Sequence, residues 1–182
     1  MERGFLISTL CCHGCYAARM RNNITIDMTH ADIMLFVDRA IDGMLGIIEE
    51  LGDDLANQKP DLPDANSPYG ILNHCIGVVN HWIGNAVAER GIPRDRDREF
   101  TTTGTYEQIK AEITQCRDRL AADLLVLDGL APLSAHPPAS YEPKGGPAQW
   151  TQGASLIHTY EELAQHFGQM ELTRDILVAQ RR

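Results

Sequence analysis

The sequence predicts an all-α protein, a four-helix bundle with one long crossover loop. Three observations carry this. Four stretches show apolar residues at helical spacing, each opened by a capping residue. No stretch shows the two-residue alternation of a strand. Between the third and fourth stretches lies a Pro- and Gly-rich interval, residues 128–150, far longer than a tight turn. Bundles with such a connection build ligand and metal sites from side chains on facing helices.

The first helix is expected over residues 29–51. Thr29 and Asp32 form a capping arrangement, and Gly52 supplies the stop. Ile33, Val37, Ile41, Met44, Leu45 and Ile48 make its buried stripe, and residues 53–66 read as a loop. The second helix is expected over 67–90, with Ser67 as cap, Pro68 in the first turn and an end near Gly91-Ile92-Pro93. Gly70, Gly77 and Gly84 recur along it every seven residues. Glycine costs about 1 kcal/mol in a helix interior, so three in register point to close packing or to space kept for a ligand. Residues 94–100, Arg94-Asp95-Arg96-Asp97-Arg98-Glu99-Phe100, read as a polar loop.

The third helix is expected over 104–127, with Thr105 and Gln108 closing a capping box and Ile109, Ile113, Cys116, Leu120 and Leu124 as its stripe. The fourth is expected over 151–178, with Leu156, Tyr160, Leu163, Phe167, Met170 and Leu177 inward. The domain boundaries expected are an N-terminal extension, residues 1–27, without fixed structure, and one bundle domain, 28–182, with Met28 as an alternative start. Gly4–Leu10 is a weak match to a signal-peptide core, because basic residues follow it in place of a cleavage site. Cys12 and Cys15 have ligand spacing, but without a second pair they make a weak zinc motif.

The composition is that of an ordinary globular protein, 43% hydrophobic and 23% charged. A formal net charge of −9 disfavours a nucleic-acid partner. No apolar run reaches the roughly 20 residues of a membrane span. Five cysteines, three of them crowded at the N-terminus, are not a disulfide framework, so a cytoplasmic location is expected. Arginine outnumbers lysine 13 to 3, which suggests a GC-rich genome.

The chemistry concentrates on the fourth helix. Glu162 and His166 are four residues apart and share one helix face. His74 stands on the second helix, about two turns after its cap. One histidine from one helix and a Glu/His pair from another make three ligands and leave an open position, the count of a catalytic metal. An unpartnered carboxylate in the apolar stripe around Glu162 is costly, and a cation neutralises it. His158 extends the row, but 158 and 166 lie about 12 Å apart along a helix axis, so one ion does not take both; His158 is assigned to the pocket. His81, about 10 Å from His74 by the same measure, is assigned to pocket or surface. The ordinary alternative is that Glu162 and His166 pair with each other or with water. There is no H-E-x-x-H, G-x-S-x-G, P-loop or G-x-G-x-x-G motif.

The segment Ser67–His74 followed by Trp82, the loop Pro93–Phe100, and Trp150-Thr151 through His158, Glu161-Glu162, His166, Gly168 and Arg174-Asp175 occur in one order. Together they resemble the DinB-like superfamily over about residues 30–180. The nearest branch is that of the actinobacterial mycothiol transferases, which includes mycothiol-dependent maleylpyruvate isomerase. The resemblance implies a DinB/YfiT-like four-helix bundle with a divalent metal, zinc most of all, with nickel as the second choice. Many relatives use three histidines, whereas the isomerase uses His, Glu and His. Matched by position, that set is His74, Glu162 and His166. The isomerase carries a further C-terminal domain, so the resemblance implies the metal and the thiol-transfer class more strongly than maleylpyruvate isomerisation itself.

The implied activity is metal-dependent addition or transfer of a low-molecular-weight thiol, mycothiol, to a small electrophile. Arg94 or Arg96, with His158, is the candidate holder of an anionic group of thiol or substrate, since guanidinium suits carboxylates. The alternative is that these arginines pair with Asp95, Asp97 and Glu99 to hold their loop. Two other functions stay open: a metal-assisted hydrolase with Glu161 or His158 as base, and a non-enzymatic bundle that binds metal or a small ligand. A homodimer also stays open. Deleting residues 1–27 is expected to leave metal content and melting temperature nearly unchanged; a large loss of stability would show that the segment packs on the bundle.

Overall fold

A computed structural model describes residues 27–133 and 150–181. The expectations for the N-terminal extension up to residue 26, including Cys12 and Cys15, and for most of the crossover lie outside the described residues. Among the described residues the regular structure is entirely helical. The long helices form an all-α bundle, as expected.

Helix α1 is His30–Ala56. Its capping box is present: Thr29 Oγ1 accepts from the Asp32 N–H at 3.2 Å, and the Asp32 carboxylate accepts from the Thr29 N–H at 2.8 Å. Gly52 breaks the helix with φ 67°, where the sequence placed the stop. The chain then resumes for one more turn, because Leu55 and Ala56 are drawn into the core. Asn57 anchors that end, accepting from the Gly104 N–H and donating to the Gly104 carbonyl.

Helix α2 is Pro68–Val79, with Ser67 Oγ accepting from the Gly70 N–H. The expected α-helix to residue 90 is not continuous. A π-helical segment, Asn80–Asn85, takes over, with Ala86 N–H bonded to His81 O. Within it the Trp82 carbonyl accepts from Ser155 Oγ at 2.8 Å, so a backbone group of the segment is tied to the last helix. Such wide turns are common at functional sites. Gly91, at φ 66°, turns the chain out of this region.

The polar loop contains a short helix, α3, Arg96–Glu99, that the sequence reading missed. Asp95 caps it by accepting from the Arg98 N–H. Helix α4, Tyr106–Leu124, starts at the expected capping box of Thr105 and Gln108. It is shorter than expected by about three residues at its C-terminal end. Helix α5, Gln152–Gln180, follows Thr151 as cap. The two ends of the crossover meet before it: the Leu133 N–H donates to Trp150 O and the Gln152 N–H to Ala131 O. Gly153 makes this approach feasible, since a Cβ there would lie 2.7 Å from Gly129 O.

Helix α1 packs on α5, α2 and α4, and α2 packs on α5 and α4. The core holds Val37, Ile41, Met44 and Ile48 of the expected α1 stripe, with Ile33 and Leu45 partly buried against it, and all five stripe residues of α4. On α5 one stripe residue is corrected. Tyr160 is 38% exposed and lies against Phe36 at a ring-centroid distance of 5.9 Å. Ser155 and Thr159 are buried in its stead. They tolerate burial because their hydroxyls donate to backbone carbonyls, Ser155 to Trp82 and Thr159 to Ser155. No helix among the described residues is long and apolar enough to cross a membrane.

Ile48 has no exposure and sits in the core, whereas Leu172 is 67% exposed. Ile48→Ala is expected to lower the unfolding free energy by about 2–5 kcal/mol, and Leu172→Ala by no more than about 0.5 kcal/mol, in denaturant titrations.

Candidate metal centre

Helices α2 and α5 bring together the three residues that the sequence singled out. His74, at the end of the second turn of α2, is 1% exposed. Its Nε2 lies 3.9 Å from Glu162 Oε2, and His166 Nε2 lies 3.5 Å from the same oxygen. The donor atoms of His74, Glu162 and His166 all fall within 4.8 Å of one another. Tetrahedral ligands about 2.1 Å from zinc stand about 3.4 Å apart, so small side-chain movements bring this set to coordination distance.

The donors are also chemically poised. His74 Nε2 is buried and has no hydrogen-bond partner, a costly condition for a polar atom. The other nitrogen, Nδ1, lies 2.7 Å from Glu99 Oε2. Burial opposes charge on His74, but the carboxylates of Glu162 and Glu99 outweigh it and raise its pKa. The imidazoles of His166 and His74 hold the Glu162 carboxyl far below the ordinary carboxylate range. The set therefore offers an anionic oxygen and two imidazole nitrogens around one point, and a divalent cation fits it.

His158 faces the opposite oxygen of Glu162, with Nε2 3.6 Å from Oε1. Its Nδ1 lies 3.2 Å from Glu161 Oε2. Its ring stands edge-on to Trp82 and to Trp150, which stack on each other at 5.5 Å. His158 and His166 thus lie against different oxygens of Glu162. His81 is not part of the donor set. It packs edge-on to Trp82 and lines a cavity of about 440 Å³ with Asn73, Asn80, Arg94 and Glu99.

The structure places Arg94 beside a carboxylate of its own chain. Its guanidinium donates to both oxygens of Glu99, Nε to Oε1 at 2.8 Å and Nη2 to Oε2 at 3.2 Å. Arg96 is exposed on α3. Burial pushes the Cys75 thiol up and the Cys116 thiol up to about 11, so neither is a ready nucleophile.

Sequence reasoning placed the loop 94–100 at the substrate cleft but missed that Glu99 and Phe100 meet His74 itself. Phe100 stacks on the His74 ring at a centroid distance of 4.2 Å and an angle of 22°. A signal for them was present in the glycines of α2. A Cβ on Gly77 would fall 2.1 Å from Glu99 Oε1, and one on Gly70 would fall 2.6 Å from Phe100 O. These two glycines keep room for residues 99 and 100. Gly84 meets only ordinary contacts and has no such part.

The model of the family described as Mycothiol-S-transferase matches residues 32–179. The chain belongs to that family. Neither the curated proteins nor the solved structures returned a match.

Titration of the metal-free protein with a divalent ion such as Co²⁺ or Zn²⁺ is expected to give one site per chain. His166→Ala is expected to remove most of that binding, because two remaining ligands make a poor site. His81→Ala is expected to bind as the unaltered protein does. Equal losses from both substitutions would point to His81, in the π segment, as the histidine of the site in place of His74.

Proposed function

We propose that this member of the mycothiol S-transferase family is a metal-dependent thiol transferase. It joins a low-molecular-weight thiol, mycothiol, to a small electrophile. The observation that carries the reading is the unpartnered, buried Nε2 of His74 facing Glu162 and His166, in a chain whose family is described by that transfer.

Zinc suits a set of two imidazoles and one carboxylate, with nickel as the second choice. A bound divalent ion would supply positive charge that lowers the pKa of an incoming thiol, and the thiolate is the nucleophilic form.

The residues around the donors do the rest. Glu162 and His166 are held on one face of α5, four residues apart, and His74 meets them from α2. Three protein donors leave a coordination position free for a small molecule. Phe100 stacks on His74, and the Trp82–Trp150 pair stands against His158, which faces the far oxygen of Glu162. In the transfer the thiol loses its proton, its sulfur forms a bond to the electrophilic carbon, and the leaving group departs with the bonding pair. With an unsaturated electrophile the proton returns to the product and nothing leaves. Cys75 and Cys116 take no part, since both thiols are buried.

The test is turnover of a generic electrophile such as a chloronitrobenzene with mycothiol, glutathione, bacillithiol and no thiol, each with and without chelator. The expected result is turnover that requires thiol, is fastest with mycothiol and is lost with chelator. Turnover that persists without thiol would favour a hydrolase. No turnover with any thiol, in protein shown to hold its metal, would favour a binding role.

A further inference from the structure

We propose that Arg94 and Glu99 are positioning residues of the metal centre: the segment 94–100, outside the bundle, selects which nitrogen of His74 faces the metal and holds the ring in place. This deepens the metal reading above and rests on it.

The argument starts from the ring. A neutral imidazole carries one N–H, and the partner of one nitrogen decides the role of the other. Glu99 Oε2 lies 2.7 Å from His74 Nδ1. A carboxylate accepts, so the hydrogen sits on Nδ1 and the lone pair is left on Nε2, the atom that faces Glu162 and His166. A carboxylate bound to the far nitrogen of a metal-ligating histidine fixes both tautomer and orientation and typically changes metal affinity 10–100-fold.

Glu99 can serve in this way only if its carboxylate is held against the ring. Its side chain is 10% exposed. The fork of Arg94 meets both of its oxygens and so fixes the plane of the carboxylate.

Three further contacts bind the segment to the same turn of α2. Phe100 stacks on the His74 ring. Asn73 Nδ2 donates to the Glu99 carbonyl at 2.9 Å. Gly77 leaves the space that the Glu99 carboxylate fills. Among the three donor residues the segment hydrogen-bonds to His74: the Phe100 ring also reaches that of His166, at a centroid distance of 6.5 Å, but His166 Nδ1 is 2.8 Å from Gln169 Oε1 on its own helix.

The experiment uses the full chain. Co²⁺ affinity is measured by competition with a chelator, together with the visible absorption of the bound ion. Separately, ¹⁵N NMR of the metal-free protein, at a pH where the rings are neutral, reports the His74 tautomer. Glu99→Ala is expected to weaken Co²⁺ binding 10–100-fold, to alter the absorption band and to mix the tautomers. Arg94→Met and Gly77→Ala should weaken binding in the same direction, and Arg94→Lys should restore part of it. Arg96→Ala should match the unaltered protein.

If Glu99→Ala does not fold by circular dichroism, the near-isosteric Glu99→Gln takes its place, with the same losses expected in smaller measure. Unchanged affinity and spectrum in folded Glu99 and Arg94 variants would overturn the proposal. So would an Nε2–H tautomer in the unaltered metal-free protein. An unaltered protein that binds no Co²⁺ at all fails the metal reading itself, a result distinct from either.

Discussion

The structure turns on one buried imidazole whose two nitrogens must both be answered. His74 is almost wholly removed from water, and a buried polar atom without a partner carries the full cost of its lost hydration. The bundle meets one nitrogen with Glu99 at 2.7 Å. It leaves the other in a space bounded by Glu162 and His166. The buried Ser155 and Thr159 have hydrogen-bond partners of their own, whereas this nitrogen has none.

Several local departures from regular helix gather around that ring. Gly70 and Gly77 give up helix propensity so that residues 99 and 100 can lie against α2. The π segment ties the Trp82 carbonyl to Ser155 and sets Trp82 beside Trp150 and His158. The crossover closes just ahead of α5 through backbone bonds between residues 131–133 and 150–152. The glycines lie against the segment that meets His74, and the π segment and the crossover lie beside His158 through Trp82 and Trp150.

The charges of segment 94–100 illustrate how one sequence pattern supports two readings. Alternating Arg and Asp residues suit either an anion-binding wall or a self-paired loop. The structure divides them by depth. Arg94 and Glu99 pair where water is scarce, so the bond is strong and orients a third group. Arg96 stays in solvent, where an ion pair is worth little.

The bundle, its capping residues and the pairing of Glu162 with His166 were legible in the chain alone. Apolar periodicity, Ser/Thr caps and i,i+4 spacing are properties of one helix, and local physics decides them. His74 was also legible as a candidate, and the structure brings it to the other two. What only the tertiary structure decided is contact between distant segments. That Glu99, and not Asp95 or Asp97, turns inward depends on where α3 lands on α2, and no local rule reports that. The outward turn of Tyr160 and the π segment after Val79 depend on what α1 and α5 offer across the interface. Helix starts are written in neighbours along the chain; the partner of each nitrogen on His74 is written in neighbours across it.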